Sequence, residues 1–415
     1  MLNFINFRML RMSDFYLWIC VLLLLVIGFF AIFSATHAVE LKGGSLFKYM
    51  NRHFLSLVVA GLFLFFFSYL DYKHLQKVTW LLYPLMLGLL MLVIFLGSTA
   101  LGAQRWLVLG PLQFQPSEFS KLVMIISLAA FMKDKIGKIN QAKEILPVLV
   151  LAGIPFLLIF KQPDLGTALV IVAITLGMLI YCRISWEYLV IFFTPLLSII
   201  LCRFLVLWIL YIILLFLILS FFRMSWFNFV VVMVLNVAAG LAFPYVWSLL
   251  KEYQQQRLVT FLNPAVDPLG AGYHTLQAKI AVGAGMFLGQ GFLQGTQTQM
   301  QFIPVQHADF IFSVVAEEFG FLGSGILFGI FLVMLWRMIY LACSARDIFG
   351  QLLAAGIASL YLFHIFVNVG MTMGLLPIVG IPLPLLSFGG SALVVNLSCI
   401  GILQSIAMRR EKLIF

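Results

Sequence analysis

The chain has 415 residues, of which 63% are hydrophobic and only 10% charged, far from the roughly half-apolar, quarter-charged composition of soluble domains. A soluble enzyme and a disordered linker are both excluded, and a polytopic membrane protein is expected. The formal net charge of +10 is scattered over short loops without interleaved aromatic residues, which argues for contact with anionic membrane lipids and against a nucleic-acid surface.

Apolar blocks of about 17 to 25 residues are long enough to cross roughly 30 Å of hydrocarbon as helices. Such spans are expected near 15–35, 53–70, 77–98, 116–132, 145–160, 165–182, 186–202, 203–222, 226–248, 308–336, 351–374 and 384–407. The first follows Arg8 and Arg11 and lacks a small-residue cleavage site, so it reads as a retained span. Residues 186–225, with the run RFLVLWILYIILLFLILSFF, read as a transmembrane hairpin, and 249–307 as a large polar loop. Threading twelve spans from a cytoplasmic N-terminus leaves fifteen Lys and Arg inside and nine outside, with Lys121 within a span. The Lys-rich segment from Lys133 to Glu144 anchors that orientation, which places the long loop outside and both termini in the cytoplasm. The five cysteines lie in or beside spans and show neither a disulfide framework nor a CxxC metal spacing, so packing is their expected role. The expected fold is one all-α membrane domain over 1–415, a bundle of about ten to twelve transmembrane helices with a large extracytoplasmic loop.

Four segments break the apolar pattern on the outer side: Leu101 to Lys121, Lys161 to Gly166, the long loop, and Leu375 to Leu393. Their convergence would build an extracytoplasmic cavity. In FQPSEFSK, Pro116 suits a first helical turn, and Glu118 then lies near the positive end of the helix dipole with Lys121 one turn on and on the same face. The pair reads either as a local ion pair or as a cavity wall, since ionisable groups at membrane depth face cavities. Arg105 in GAQRW is the nearby cation for a phosphate, while Trp106 also suits an interfacial anchor. Asp164 in QPDLG reads as the cap of a helix starting at Leu165.

The glycines of VGAGMFLGQG lack the Lys and Ser/Thr of a phosphate-binding loop and read as a tightly packed or re-entrant helix. Asp267 lies among Asn263, Pro264, Pro268 and Gly270, where it reads equally as a turn residue or as a general base for a sugar hydroxyl. Arg257 and Lys279 would neutralise a diphosphate leaving group or serve as interfacial charges. Glu317 and Glu318 fall inside a span, where an ionised carboxylate costs roughly 2.5 to 3.5 kcal/mol unless paired or hydrated, so at least one should face the interior. SFGGS, behind Pro382 and Pro384, reads as a broken helix lining the cavity. No histidine pairing has zinc spacing.

The succession GAQRW, QPSEFSK, QPDLGTAL, YQQQR with NPAVDPLGAGYH, FIPVQHADFIFSVVAEEFGFLG and GIPLPLLSFGGSAL resembles the SEDS family (shape, elongation, division and sporulation), and AGYHTLQAKIAVGAGMFLGQGFLQGTQTQMQFIP brings it nearest the elongation branch, with the division branch next. The resemblance implies a peptidoglycan glycosyltransferase that polymerises lipid II, the lipid-linked disaccharide peptide, at the outer face of the bacterial cytoplasmic (inner) membrane during elongation and cell-shape maintenance. It implies that Asp267 is the catalytic acidic residue of the loop. Arg105, Glu118, Lys121 and Arg257 would line the substrate cavity, with Asp164, Asp309, Glu317 and Ser387 in support. The implied partners are a class B penicillin-binding protein, a transpeptidase, and other elongation-complex membrane proteins. A divalent cation, Mg2+ or Mn2+, would suit the diphosphates, although no ligand set demands one. The family usually has ten spans, so the hairpin at 186–225 reads as an addition that preserves sidedness. A lipid II flippase and a noncatalytic scaffold for the transpeptidase are the competing functions, and Asp267 separates them, being indispensable only to glycosyl transfer.

Overall fold

The computed structural model describes residues 12–41, 46–100, 103–109, 112–137, 142–222, 224–250, 255–256, 259–261, 271–303 and 306–410. Among them the helices run α1 Phe15–Leu41, α2 Leu46–Tyr69, α3 Lys73–Leu96, α4 Pro116–Met132, α5 Ala142–Lys161, α6 Leu165–Tyr181, α7 Trp186–Leu201, α8 Leu205–Phe221 and α9 Trp226–Leu249. Two shorter helices follow, α10 Ala271–Ala284 and α11 Thr296–Gln299, and then α12 Ile311–Ser344, α13 Ile348–Thr372 and α14 Gly390–Met408. Setting α10 and α11 aside, the other twelve fall on the twelve expected spans. Eight are long and apolar enough to cross a membrane, while α6, α7 and α8 are shorter apolar helices, and the chain is a multi-pass membrane protein.

Two departures from expectation have local causes. The last span begins at Gly390 rather than at 384, because Pro382 and Pro384 cannot donate to a helical ladder and Leu385 takes a left-handed φ of 65°. The segment between the third and fourth spans departs from the all-α expectation in its described residues. It forms a three-stranded antiparallel sheet of order β1-β2-β3, with β1 Ser98–Ala100, β2 Ala103–Leu109 and β3 Leu112–Phe114. The β-prone run Trp106 to Leu109 followed by Gly110 and Pro111 is the sequence signal for it.

The centre of the bundle is α14, buried along nearly its whole length, with α13 next. α14 packs on α2, and α13 packs on α12 and α6. The outer faces of α2, α3 and α8 expose large apolar side chains such as Phe66, Trp80 and Leu214, as helices facing lipid do. α7, α8 and α9 pack around their own apolar cluster of Leu215, Leu219, Met224 and Val232. Polar bonds tie them together: Trp208 Nε1 donates to Ser198 at 2.8 Å, the Ser198 hydroxyl to the Asn236 carbonyl at 2.7 Å, and Tyr211 to the Asn236 side chain at 2.9 Å. Hydroxyl and amide bonds between helices do this in apolar surroundings, where an unpaired polar group is costly.

α12 is interrupted at Gly320, whose φ of 63° and ψ of −158° leave the helix. The interruption frees backbone groups at membrane depth, and the segment after α10 satisfies them. Gln290 and Gly291 donate to the carbonyls of Glu317 and Glu318 at 3.0 Å each, and Phe321 and Leu322 donate to Met286 and Phe287 at 2.9 and 3.1 Å. The glycine-rich stretch after α10 is thus packed tightly onto α12. A β-carbon on Gly320 would lie 2.3 Å from the backbone nitrogen of Gly289, on top of the penalty for a left-handed L-residue. Gly320→Ala is expected to destabilise the protein by about 2 kcal/mol or more, read as a lower midpoint of heat-induced unfolding in detergent; a wild-type midpoint would show that the contact yields freely.

Candidate functional site

A cavity of about 540 Å3 is lined by residues from all four of the segments that break the apolar pattern. Arg105, Gln115, Glu118 and Lys121 come from the first and Asp164 from the second. The long loop contributes Gln256 and His274, and the fourth segment contributes the run from Val379 to Pro382 and then Phe388 to Ala392. The helices explain the convergence. α4, α6 and α14 all begin at the cavity, and Ala308 and Asp309, just before α12, also line it. Helix starts carry partial positive charge and unpaired N–H groups, so the wall is suited to anions.

At the start of α4, Gln115 is extended (φ −111°, ψ 102°) and Pro116 occupies the first turn. Glu118 and Lys121 then meet across one turn, with Nζ 2.6 Å from Oε2 and the side chains 8% and 3% exposed. The geometry makes them both a local ion pair and part of the cavity wall. Asp164 caps α6, accepting from the Thr167 N–H at 3.4 Å and its hydroxyl at 2.9 Å. It also accepts from the Ser117 hydroxyl at 3.0 Å. Arg105 on β2 places Nη1 3.8 Å from Asp164 and bonds the Pro163 carbonyl through Nη2, so the sheet holds this cation over the mouth of α6.

The broken segment before α14 forms another part of the wall. Its Phe388 N–H donates to the His307 carbonyl at 2.9 Å, and the ring packs edge-on against His307. Burial pushes the His307 imidazole below its ordinary pKa, which favours a neutral wedge over another cation. Asn368 of α13 donates to the carbonyls of Asp309 at 2.8 Å and Ile381 at 2.7 Å, tying the start of α12 to the broken segment.

The expected site residues divide into three groups. Arg105, Glu118, Lys121, Asp164 and Asp309 line the cavity together. Asp267 and Arg257 lie outside the described residues. Ser387, Lys279 and Glu317 are not among the cavity-lining residues. The Ser387 hydroxyl accepts from the Leu383 N–H at 2.8 Å, and Lys279 is exposed on α10. For Glu317 the correction is larger: its carboxylate is fully buried and caps α11, accepting from the backbone N–H groups of Gln297 at 2.7 Å and Thr298 at 3.0 Å and from the Thr298 hydroxyl at 2.6 Å. Sequence reasoning missed His364, which lines the cavity, and Asn368 beside it. Their signal is two polar side chains four residues apart in a largely apolar helix.

Among the described residues no group of three His, Cys, Asp or Glu side chains is placed to hold a metal ion. Glu118 and Asp164 already face Lys121 and Arg105.

Fold and site together define a polytopic helical membrane protein with a charged cavity built from helix starts. The chain belongs to the cell cycle protein family of FtsW, RodA and SpoVE, matching it over residues 14–211 and 191–412. It is similar to the peptidoglycan glycosyltransferase MrdB of Escherichia coli K12, with 37% identity over 333 residues, 80% of this chain and 78% of that one. It is likewise similar to the peptidoglycan glycosyltransferase RodA of Treponema pallidum, with 33% identity over 430 residues, 96% and 98% of the two chains. One solved relative, described under "Structural coordination of polymerization and crosslinking by a peptidoglycan synthase complex", superposes with a TM-score of 0.72 at 28% identity, covering 96% of this chain and 99% of that one. The Thermus thermophilus rod shape determining protein RodA shares the fold, with a TM-score of 0.64 at 24% identity over 96% and 98% of the two chains.

Proposed function

We propose that this protein is a peptidoglycan glycosyltransferase that polymerises lipid II into glycan strands at the outer face of the bacterial cytoplasmic membrane during cell elongation. The observation that carries the reading is the meeting of three helix starts with Arg105 and Lys121 around one cavity, an arrangement suited to a lipid diphosphate. The names of the relatives from E. coli and T. pallidum supply the reaction class. The excess of Lys and Arg on the opposite side supports the outward placement of the cavity.

In the proposed reaction the 4-hydroxyl of the acceptor's GlcNAc attacks C1 of the donor's MurNAc. The C1–oxygen bond to undecaprenyl diphosphate breaks as the new glycosidic bond forms. Asp267 takes the hydroxyl proton, while Arg105, Lys121 and Arg257 offset the charge on the departing diphosphate. A divalent cation, Mg2+ or Mn2+, would suit the diphosphates, although Glu118 and Asp164 are already engaged by Lys121 and Arg105. A class B penicillin-binding protein acts as partner, crosslinking the strands made here; the solved relative from a synthase complex that couples polymerization and crosslinking supports this. The elongation assignment rests on the likeness to MrdB and RodA, and a division-type role is the alternative to it.

The test is lipid II polymerisation by the purified protein with its transpeptidase, under penicillin so that crosslinking does not obscure strand length. Long glycan is expected from the wild type, and Asp267→Ala should lower the rate about 10²- to 10⁴-fold. Equal product from both would move the base elsewhere. No product from a partner-bound wild type would favour the flippase or scaffold reading.

A further inference from the structure

His364 sits on α13 and is 1% exposed. Its Nδ1 lies 3.2 Å from the carbonyl oxygen of Pro382. A carbonyl can only accept, so this nitrogen carries the proton, and in the neutral form of the imidazole the lone pair then lies at Nε2. That second nitrogen is buried without a hydrogen-bond partner among the described residues, yet the residue lines the cavity. Buried polar atoms in folded proteins are nearly always satisfied, so an acceptor left open at a cavity wall points to a donor that arrives with a ligand.

The surroundings make the direction of that bond specific. One turn further along α13, Asn368 holds the neighbouring Ile381 carbonyl at 2.7 Å, so the two side chains fasten consecutive carbonyls of the broken segment and fix the imidazole in place. Lys121 and Glu118 line the same cavity and are already paired with each other.

We infer that His364 is a substrate-binding residue whose Nε2 accepts a hydrogen bond from a sugar hydroxyl of the lipid-linked substrate. This rests on the glycosyltransferase reading for the identity of the sugar. The role is distinct from the handling of the diphosphate, because a neutral acceptor repels phosphate oxygens and selects a donor.

Two substitutions separate this from a purely structural part. In His364→Asn the carboxamide nitrogen stands near the position of Nδ1 and keeps the bond to Pro382, but nothing reaches the place of Nε2. In His364→Gln the carboxamide oxygen reaches the place of Nε2 as an acceptor, while the bond to Pro382 is lost. Lipid II binding to each purified full-length protein in detergent is measured by native mass spectrometry, alongside polymerisation kinetics with the transpeptidase and heat-induced unfolding. The inference expects Asn to raise Kd and KM about tenfold with kcat within about threefold and a near-wild-type unfolding midpoint, and Gln to bind within about threefold of wild type, since loss of uniform binding appears in KM rather than kcat. Wild-type binding by Asn with a loss in Gln would overturn it in favour of a structural clamp on Pro382. Equal losses in both, no loss in either, or no lipid II binding by the wild type would overturn it as well. A wild type that binds but does not polymerise would remove the polymerase reading, while the contrast in Kd between the two variants would still decide the role of His364.

Discussion

Lys121→Ala is expected to lower the stability of the protein by about 3 to 5 kcal/mol and to abolish turnover. The ammonium lies 2.6 Å from Glu118, and both side chains are almost wholly enclosed. Removing one member of such a pair leaves an enclosed charge without its partner, and that penalty exceeds the net worth of the intact pair. The double variant Glu118→Gln with Lys121→Met removes both charges at similar volume, and it should recover most of the lost stability. It should not recover activity, because a cation at the cavity wall would still be missing. The measurement is a double-mutant cycle of unfolding midpoints in detergent beside lipid II polymerisation. A single variant that unfolds like the wild type would show that water or another group satisfies Glu118, and a double variant that polymerises normally would remove Lys121 from the reaction.

Glu317→Ala should release α11 from the bundle. One carboxylate receives two backbone N–H groups and the Thr298 hydroxyl within 3.0 Å, and its neighbour Glu318 accepts from the Leu293 N–H at 3.2 Å and from the Ser34 hydroxyl. Together the two residues hold the segment from Leu293 to Thr298 against α12 and α1. Hydrogen bonds to a charged acceptor contribute about 1.5 to 3 kcal/mol each and do not add fully, so a loss of about 3 kcal/mol or more is expected. Limited proteolysis should then cut between 291 and 301, where the wild type should resist, and Glu317→Gln, which keeps one acceptor oxygen, should fall between the two. Unchanged cleavage together with an unchanged unfolding midpoint would mean that apolar packing alone holds α11.

The consequence for Glu317 shows where sequence reading reached its limit. An acidic residue inside a span had to be satisfied, and the chain's apolar context was enough to say so. Whether the satisfying groups were a substrate, a cation or the protein's own backbone depended on which distant segment folded over it. That segment, Thr296 to Thr298, is polar and short, with no periodicity to announce its place. The same holds for His364, whose partner carbonyl is eighteen residues away in a stretch broken by prolines. By contrast the Glu118–Lys121 pair was legible, because three residues along a helix fix two side chains on one face whatever the rest of the molecule does.

The sequence by itself determined the spans, since crossing hydrocarbon requires about twenty apolar residues with every backbone bond closed within the helix, and that demand is local. Its charged residues, kept in four polar segments of an otherwise lipid-soluble chain, pointed to a polar cavity, and the ordered motifs pointed to the family. Only the tertiary structure decided that those segments share one cavity, that β1 to β3 hold Arg105 over it, and that Glu317 serves the fold while His364 faces the space. Those outcomes depend on contacts between residues far apart in the chain, and such contacts are set by packing and by the satisfaction of buried polar groups rather than by any local pattern.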